Sequence, residues 1–331
     1  RQLLRSSFLE DCPILPVSSK TGEALAELRG ALSALAREVP PKATDESARL
    51  PVDRVFTVKG FGTVVTGTLT AGRLTLDDRV EIYPKGLQAK VRGLQGHGRP
   101  VESARAGQRT AINFQGVERA AIERGDVVGL PGALVPTLLA DATLELLPDA
   151  PRPLKTRDRV RVHVGTSEIM ARVLLVDRSE LEPGRTAHAR LRMEAPLVAL
   201  PGDRYVIRSY SPIVTIGGGT MLDVAPPRFK RKAPQLLAHL QLLERGFPDE
   251  VVEEHLKQAG PSGLRAGDLV ARTPFSPDRL KLLLEGLRGS GRIVAVDREW
   301  FVHAKAQEEL RGRILQVLDS FHAQNPLRSG I

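Results

Sequence analysis

The stretch DRVFTVKGFGTVVTGT, from Asp53 to Thr68, contains two runs rich in β-branched residues on either side of KGFG. Such runs around a glycine-containing turn predict a β-hairpin. A hairpin needs the two strands and the turn, but it does not need an acid and a base side by side at its start. Asp53 and Arg54 are therefore the first candidate functional residues of the chain.

Short strands separated by turns continue outward from this hairpin, from residue 50 to residue 225. Their spacing predicts two all-β domains in tandem, each a barrel or a sandwich. In the second domain, Val160, Val162 and Val164 alternate with polar residues, which predicts one buried and one exposed face. The glycines of TIGGG, residues 215–219, precede a strand and not a helix, so they predict a bulge or a close strand crossing rather than a phosphate cradle.

The first 39 residues have a different character. CPILPV, residues 12–17, predicts a strand of the buried type, and leucines at spacings of three and four within residues 21–36 predict one helix. A strand and one helix cannot form a core alone, so this segment predicts the tail of an α/β domain. The turn PVSSKTG, residues 16–22, either directs backbone N–H groups at a ligand or caps the helix in the ordinary way. Residues 40–50 have the composition of a linker.

After residue 228 the pattern changes to helices that begin at proline or end at glycine. Ser276 is a candidate N-cap with Pro277 in the first helical position. The run RIVAVDREWFVH predicts a β-ribbon after the third helix, and this order is typical of a winged helix. RFKRK, residues 228–232, places four bases at the entrance of this module, either as an RNA phosphate contact or as a solvated linker.

Composition narrows the classes of function. The 331 residues have a formal net charge of +9, which favours a polyanionic partner such as nucleic acid. The single cysteine, Cys12, excludes an internal disulfide framework and fits a reducing compartment. No apolar run is long enough to predict a membrane-spanning helix. The sequence contains no P-loop, no histidine pair at metal spacing and no catalytic triad pattern, so it predicts binding rather than catalysis, with no catalytic or metal-ligating residue.

Several stretches together resemble the bacterial selenocysteine-specific elongation factors (SelB), a family of translational GTPases. The entrance PVDRVFTVKGFGTVVTGT resembles the start of their second domain, with the Asp-Arg pair in the form typical of this family. PVSSKTG resembles the last guanine-contacting motif of the GTPase domain. Three further stretches carry the resemblance: AGQRTAINFQG (106–116), IERGDVV (122–128) and GDRYVIRSYSPIVTIGGGTMLD (202–223).

This resemblance implies a mainly β fold with α: the tail of an α/β G domain, two tandem β-barrels and an α+β winged-helix module. The implied domains are the last strand and helix of the G domain (1–39), a linker (40–50), barrel domain II (51–135), barrel domain III (136–227), a winged helix (228–303) and the start of a second winged helix (304–331). The chain would then be a fragment that lacks most of the G domain and the last winged helices.

The resemblance also implies a function and its sites. The family delivers selenocysteinyl-tRNA to the ribosome at recoded UGA codons in a GTP-dependent way, in the cytoplasm and as a monomer. GTP and Mg²⁺ would bind the full-length protein but not this fragment, which is expected not to hydrolyse GTP alone. A messenger-RNA hairpin would bind through winged helices outside this chain, and no membrane is involved. The implied contacts are Asp53, Arg54 and Arg109 for selenocysteine, Ser18, Ser19 and Lys20 for the nucleotide, and Arg228, Lys230, Arg231 and Lys232 for RNA.

Two alternatives stay open at the level of the sequence. One is another translational GTPase, similar to elongation factor Tu or to the gamma subunit of an initiation factor. The other is a stand-alone RNA-binding module without a nucleotide cycle. The winged-helix pattern and the Asp53-Arg54 pair favour the selenocysteine-specific family over the first alternative, whereas only the reading frame upstream of Arg1 would discriminate the second.

Overall fold

The computed structural model describes Leu4 and residues 8–40, 46–60, 62–226 and 234–324. The chain divides into two units, Arg1–Lys42 and Ala43–Ile331. The second unit contains both β domains and the helices that follow them.

The first unit contains one described helix, α1, which spans Leu25–Glu38 and confirms the predicted helix. None of its residues is buried. The predicted strand over residues 12–17 is wrong, because the described part of the chain contains no strand at this segment. A strand needs a neighbour for its backbone groups. Here Ile14 and Val17 are exposed instead of packed.

The first β domain is a closed barrel. Its strands are β1 (Arg49–Val58), β2 (Gly62–Thr68), β3 (Arg73–Thr75), β4 (Arg79–Tyr83), β5 (Leu87–Gly96), β6 (Arg99–Val101), β7 (Ser103–Arg105), β8 (Arg109–Gln115) and β9 (Val127–Gly129). The barrel strands pair in the order β4-β9-β1-β2-β8-β5, and β5 pairs back to β4. Leu50, Ile112 and Phe114 are fully buried inside it. The hairpin predicted from residues 53–68 is confirmed as the antiparallel pair β1–β2.

The second β domain is also a closed barrel, with strand order β10-β15-β13-β12-β16-β17. Val160, Val162 and Val164 are buried, which confirms the predicted alternation. We call the two domains barrel 1 and barrel 2. The strands of barrel 2 are β10 (Thr137–Leu146), β11 (Leu154–Lys155), β12 (Arg159–Val164), β13 (Ser167–Leu175), β14 (Glu180–Leu181), β15 (Thr186–Leu197), β16 (Arg204–Ser209) and β17 (Thr215–Asp223).

The glycine run of barrel 2 lies inside β17 and confirms the predicted close strand approach. A Cβ atom at Gly217 or Gly219 would lie 2.2 or 2.0 Å from a carbonyl oxygen of β10. A Cβ atom at Gly218 would lie 2.3 Å from the Tyr205 carbonyl oxygen of β16. The register of β16 against β17 also shifts between Ile207 and Arg208. The glycines therefore serve strand packing, and no helix follows them to bind a phosphate.

Helices predominate in the remainder of the second unit, which we call the helical module. A small antiparallel sheet, β18-β20-β19, packs with them. The predicted cap is confirmed, because the Arg279 backbone N–H donates to the Ser276 hydroxyl at 3.4 Å. The assignment of this module as a winged helix stays a prediction. The elements are α2 (Pro234–Arg245), α3 (Pro248–Ala259), β18 (Leu264–Arg265), α4 (Ala266–Arg272), α5 (Pro277–Gly289), β19 (Ile293–Ala295), β20 (Trp300–His303) and α6 (Ala304–Gln324).

A buried ion pair joins barrel 2 to the helical module. Arg272 of α4 donates to the fully buried carboxylate of Asp223, the last residue of β17, with Nη2 and Oδ2 2.6 Å apart. The buried ring of His255 lies 4.0 Å from the same carboxylate. Burial lowers the pKa of His255 to about 4, so this ring is neutral at neutral pH. Arg272 is thus the cation that is hydrogen-bonded to Asp223 at this junction.

The two barrels are also held together by an ion pair. Arg49 of β1 donates both terminal guanidinium nitrogens to Asp203, at 2.5 and 2.7 Å. This bidentate geometry fixes orientation as well as distance. Across the described residues, none of the helices has both the length and the apolar character needed to cross a membrane.

Candidate functional site

Asp53 lies at an irregularity of strand β1. In the pairing of β1 with β2, Val52 lies opposite Gly67 but Arg54 lies opposite Thr66, so the register shifts across Asp53. Such a bulge re-aims a side chain and is frequent at barrel rims. It allows Asp53 and Arg54, which are adjacent in sequence, to take different partners.

The carboxylate of Asp53 binds Arg109 and not its neighbour Arg54. Arg109 opens β8 and donates through Nη1 to Asp53 Oδ2 and through Nη2 to Asp53 Oδ1, the latter at 3.1 Å. The Thr66 hydroxyl of β2 donates to Asp53 Oδ1 at 2.7 Å. Because β2 pairs with both β1 and β8, closure of barrel 1 brings these residues together at one rim.

The electrostatics of this pair favour the ionised form of both groups. The hydrogen bond from Arg109 lowers the pKa of Asp53, although partial burial opposes the shift. The hydrogen bond to Asp53 raises the pKa of Arg109 in turn. The Arg109 side chain is about half exposed, so its guanidinium remains accessible to a ligand from outside.

Arg54 is the unpaired cation of this rim. Its side chain is exposed and makes no hydrogen bond or ion pair with any described residue. Asp53 compensates one of the two arginines, so the three side chains carry a net charge of about +1. The arrangement can bind one small anion at the rim of barrel 1, with Arg54 as a free donor and Arg109 held in place by Asp53.

The turn around Ser18 uses part of its hydrogen-bonding capacity within itself. The Ser18 N–H donates to the Glu23 carbonyl oxygen at 3.2 Å, and the Thr21 N–H donates to the Ser18 hydroxyl at 3.2 Å. In this conformation the Ser18 N–H does not face a ligand. Ser19 and Lys20 are exposed. Their role in nucleotide binding stays a prediction. The four basic residues predicted to contact RNA, Arg228, Lys230, Arg231 and Lys232, lie outside the described residues.

The outer surface of barrel 2 carries a group of arginines that the sequence analysis did not assign to a site. We call it the arginine face. Like charges directly opposite each other destabilise a sheet, so the arginines that face each other on this surface lower the stability of the barrel. Arg172 lies opposite both Arg159 and Arg192, and Arg161 lies opposite Arg208. The members are Arg159, Arg161, Arg172, Arg192 and Arg208.

Two carboxylates balance part of this charge. Glu194 accepts from Arg159 at 2.5 and 2.9 Å, and Glu168 accepts from Arg161. No described acid forms an ion pair with the other three arginines. An exposed aromatic ring, Tyr210, lies under two of the guanidinium groups, with Arg159 Cζ 5.0 Å and Arg161 Cζ 5.9 Å from its centroid. Positive charge is suited to the backbone of a nucleic acid, and an exposed aromatic ring is suited to its bases.

The described residues contain no group of three or more side chains placed to hold a metal ion. The two surfaces described above are organised around guanidinium groups, which are chemically suited to bind anions.

Comparison with known families identifies the class of the two barrels. Residues 62–129 match the family model described as Elongation factor Tu domain 2. Residues 141–228 match the model described as Selenocysteine-specific elongation factor, beta-barrel domain. Both matched models describe barrel domains of translation elongation factors.

Comparison with individual relatives distinguishes between kinds of elongation factor. The chain is 40% identical over 330 residues to the selenocysteine-specific elongation factor of Desulfomicrobium baculatum, covering 99% of this chain and 52% of that protein. It is 31% identical to elongation factor Tu 2 of Streptomyces avermitilis, but only over 56% of this chain and 48% of that protein. The chain is thus a relative of the selenocysteine-specific elongation factors along its whole length, and the resemblance expected from its sequence is confirmed. It spans about half the length of the curated relatives it matches.

A solved structure supports the fold. The crystal structure of bacterial selenocysteine-specific elongation factor EF-Sec aligns with a TM-score of 0.76 at 24% sequence identity. The alignment covers 94% of this chain and 48% of that chain. The mainly β class with two tandem barrels and a helical C-terminal part is confirmed.

Proposed function

We propose that this chain is part of a factor that binds selenocysteinyl-tRNA and delivers it to the ribosome at recoded UGA codons. In the complete factor, GTP and Mg²⁺ would drive the cycle. The factor would act as a monomer in the cytoplasm and would also contact a messenger-RNA hairpin. The similarity to selenocysteine-specific elongation factors supports the proposal, and so does the chemistry of the two arginine-containing surfaces.

The observation that carries the proposal is the rim site of barrel 1, where Arg54 is free and Arg109 is held by Asp53. A selenol is more acidic than a thiol, whose reference pKa is about 8.5. The side chain of selenocysteine is therefore largely ionised near neutral pH. Two guanidinium groups, each permanently charged, suit this anion, and Asp53 limits the repulsion between them.

The same site would reject serine attached to the same tRNA. The serine hydroxyl is neutral at neutral pH, so binding it would desolvate Arg54 without giving this cation an anionic partner. A site built for a polar group discriminates strongly against a near-isostere that leaves its own groups unpaired. The simpler alternative is a rim ion pair between Asp53 and Arg109 without a ligand, which would contribute roughly 0–1 kcal/mol to stability if exposed.

The test compares the affinities of the two aminoacyl-tRNAs. A chimaera would join the preceding part of the Desulfomicrobium baculatum relative to this chain, and Kd would be measured in GTP for selenocysteinyl-tRNA and seryl-tRNA. We expect tighter binding of selenocysteinyl-tRNA by at least about a hundredfold, which is less than the roughly 10⁴-fold discrimination of buried polar sites because this rim is partly exposed. Equal affinities would overturn the proposal.

The arginine face would bind the phosphates of the tRNA. Each phosphate neutralised adds roughly 0.7–0.9 to the slope of log K against log salt concentration. We therefore expect Arg172→Ala and Arg192→Ala each to reduce the slope by about one unit, equally for both aminoacyl-tRNAs. The slope is measured by filter binding over a range of KCl concentrations.

Arg313→Ala provides the matched control for this experiment. Arg313 is exposed on α6 and is not a member of the arginine face. Its replacement by alanine removes the same single positive charge as Arg172→Ala or Arg192→Ala. Its variant should retain the slope of the unmodified chain. A slope that Arg172→Ala and Arg192→Ala leave unchanged would remove the arginine face from the tRNA interface.

A further inference from the structure

A groove of about 430 Å³ lies on the helical module between α4, α5 and β20. Its floor is apolar and includes Val270, Leu280, Leu284 and Phe301. It shares no lining residue with the rim site of barrel 1 or with the arginine face. Sites of about 300–1,000 Å³ accommodate a small ligand or a few side chains. The groove is thus large enough for a short segment of a partner.

The rim of this groove is positively charged. Lys281 and Arg288 of α5 and Arg298 before β20 border it, with Glu285 as the single carboxylate. In the described part of the chain, none of these four side chains forms an ion pair or a side-chain hydrogen bond. The rim therefore has a surplus of two positive charges that no described residue compensates. An occupant with carboxylates at its edges would be complementary to it.

The floor favours a polypeptide over a nucleic acid. Sites for single-stranded nucleic acid use exposed aromatic rings on which bases stack. The aromatic residue of this groove, Phe301, is only 8% exposed, and the rest of the floor is aliphatic. Helix α5 also presents Leu282, which is 69% exposed, and the acid Asp278 toward solvent. A surface of this composition is poorly suited to a phosphate backbone.

We propose that this groove binds a short amphipathic segment of a partner protein, whose aliphatic side chains contact the floor and whose carboxylates face Lys281, Arg288 and Arg298. This is the helix-in-groove mode of recognition, in which apolar anchors one turn apart supply most of the contact area. The inference is independent of tRNA binding, because it rests on the helical module alone.

A peptide library identifies the sequence that the groove accepts. The probe is a displayed library of 15-residue peptides with glutamate fixed on one helical face and the apolar positions of the other face randomised. The full chain serves as bait. We expect selection of peptides with large aliphatic residues at spacings of three or four, and the best peptide is then synthesised with a fluorophore for anisotropy.

Two variants test whether the selected peptide occupies the groove. The double variant Lys281→Glu with Arg298→Glu reverses the charge of the rim, and Gly267→Leu fills the floor. Gly267 borders the groove, and a Cβ atom there meets nothing within 4 Å, so the larger side chain can be accommodated. We expect each change to weaken peptide binding by at least about tenfold.

Matched controls separate the groove from general effects. Arg313→Glu adds negative charge on α6 outside the groove, and Gly267→Ala adds only one methyl group at the same helical position. Both should bind the peptide within about twofold of the unmodified chain. Circular dichroism checks that the variants fold. If Gly267→Leu does not fold, the double variant of the exposed residues Lys281 and Arg298 alone tests the proposal.

Three outcomes would overturn the proposal. The library yields no acidic amphipathic peptide, or the selected peptide binds the groove variants as tightly as the unmodified chain. Alternatively, a 20-nucleotide single-stranded RNA displaces the peptide and depends on Lys281 and Arg298 for its own binding. The last result would assign the groove to nucleic acid.

Discussion

Replacement of Arg272 by methionine is expected to lower the free energy of unfolding of the helical module by about 3–5 kcal/mol, the usual cost of breaking a buried ion pair on one side. The variant leaves Asp223 fully buried and without its cation. With Arg272 in place, burial lowers the pKa of His255 to about 4, so the neutral ring supplies no second positive charge to Asp223 in the unmodified chain. The expected loss of stability therefore arises at the contact between barrel 2 and the helical module.

The single tryptophan allows the unfolding of the helical module to be measured separately from that of the barrels. Trp300 lies in β20 of the helical module, so its fluorescence during urea unfolding follows that module. We expect the midpoint seen by tryptophan fluorescence to move to lower urea concentration in Arg272→Met. The far-ultraviolet circular dichroism of the barrels should move less.

Two further variants act as controls. Arg159→Met removes an arginine from an exposed ion pair with Glu194 and should change the midpoint little, because solvent screens such pairs. The double variant Asp223→Asn with Arg272→Met removes the uncompensated charge and should regain part of the lost stability. A midpoint in Arg272→Met that is no lower than in Arg159→Met would contradict this account of the junction.

The architecture of the barrels could be predicted from the sequence because its signals are local. Alternation in residues 159–165 and the turn between β1 and β2 depend on neighbours along the chain. The strand predicted over residues 12–17 failed for the opposite reason. Its apolar composition is local, but a strand forms only with a partner, and none of the described strands pairs with it.

The pairings within the sites were harder to predict. Asp53 and Arg109 are 56 residues apart and meet only because β2 pairs with the strands of both. The sequence analysis grouped Asp53, Arg54 and Arg109, but only the structure identifies Arg109 as the arginine that pairs with Asp53. The arginines at 159 and 161 were visible in the sequence, but their neighbours Arg172 and Arg208 depend on strand register. Register is set by the whole sheet, so composition alone did not identify the arginine face.

Replacement of Arg54 or Arg109 by alanine is expected to reduce the preference of the chimaera for selenocysteinyl-tRNA over seryl-tRNA. An opposite charge at about 4 Å contributes on the order of 4 kcal/mol at an effective dielectric constant of 20, before desolvation costs. Both side chains are substantially exposed, so only part of this energy is available. We expect each variant to lose roughly tenfold or more in the ratio of the two Kd values.

The structure predicts a difference between the two variants. Arg54→Ala removes the unpaired cation and leaves the Asp53–Arg109 pair intact. Arg109→Ala also uncovers the Asp53 carboxylate, which would then repel the selenolate. The double variant Asp53→Ala with Arg109→Ala should therefore regain part of the preference that Arg109→Ala loses. Such recovery is the coupling expected of residues in direct contact.

Arg79→Ala is the matched control, because Arg79 is exposed on β4 of the same barrel and contacts none of the three rim residues. This variant should leave the ratio of the two Kd values unchanged. The readout is the ratio of the two Kd values, so a loss of affinity common to both tRNAs cancels. A change in the ratio therefore reports only recognition of the esterified side chain. If Arg54→Ala and Arg109→Ala weaken both tRNAs equally, the two arginines are general RNA contacts, and the selenolate is bound elsewhere.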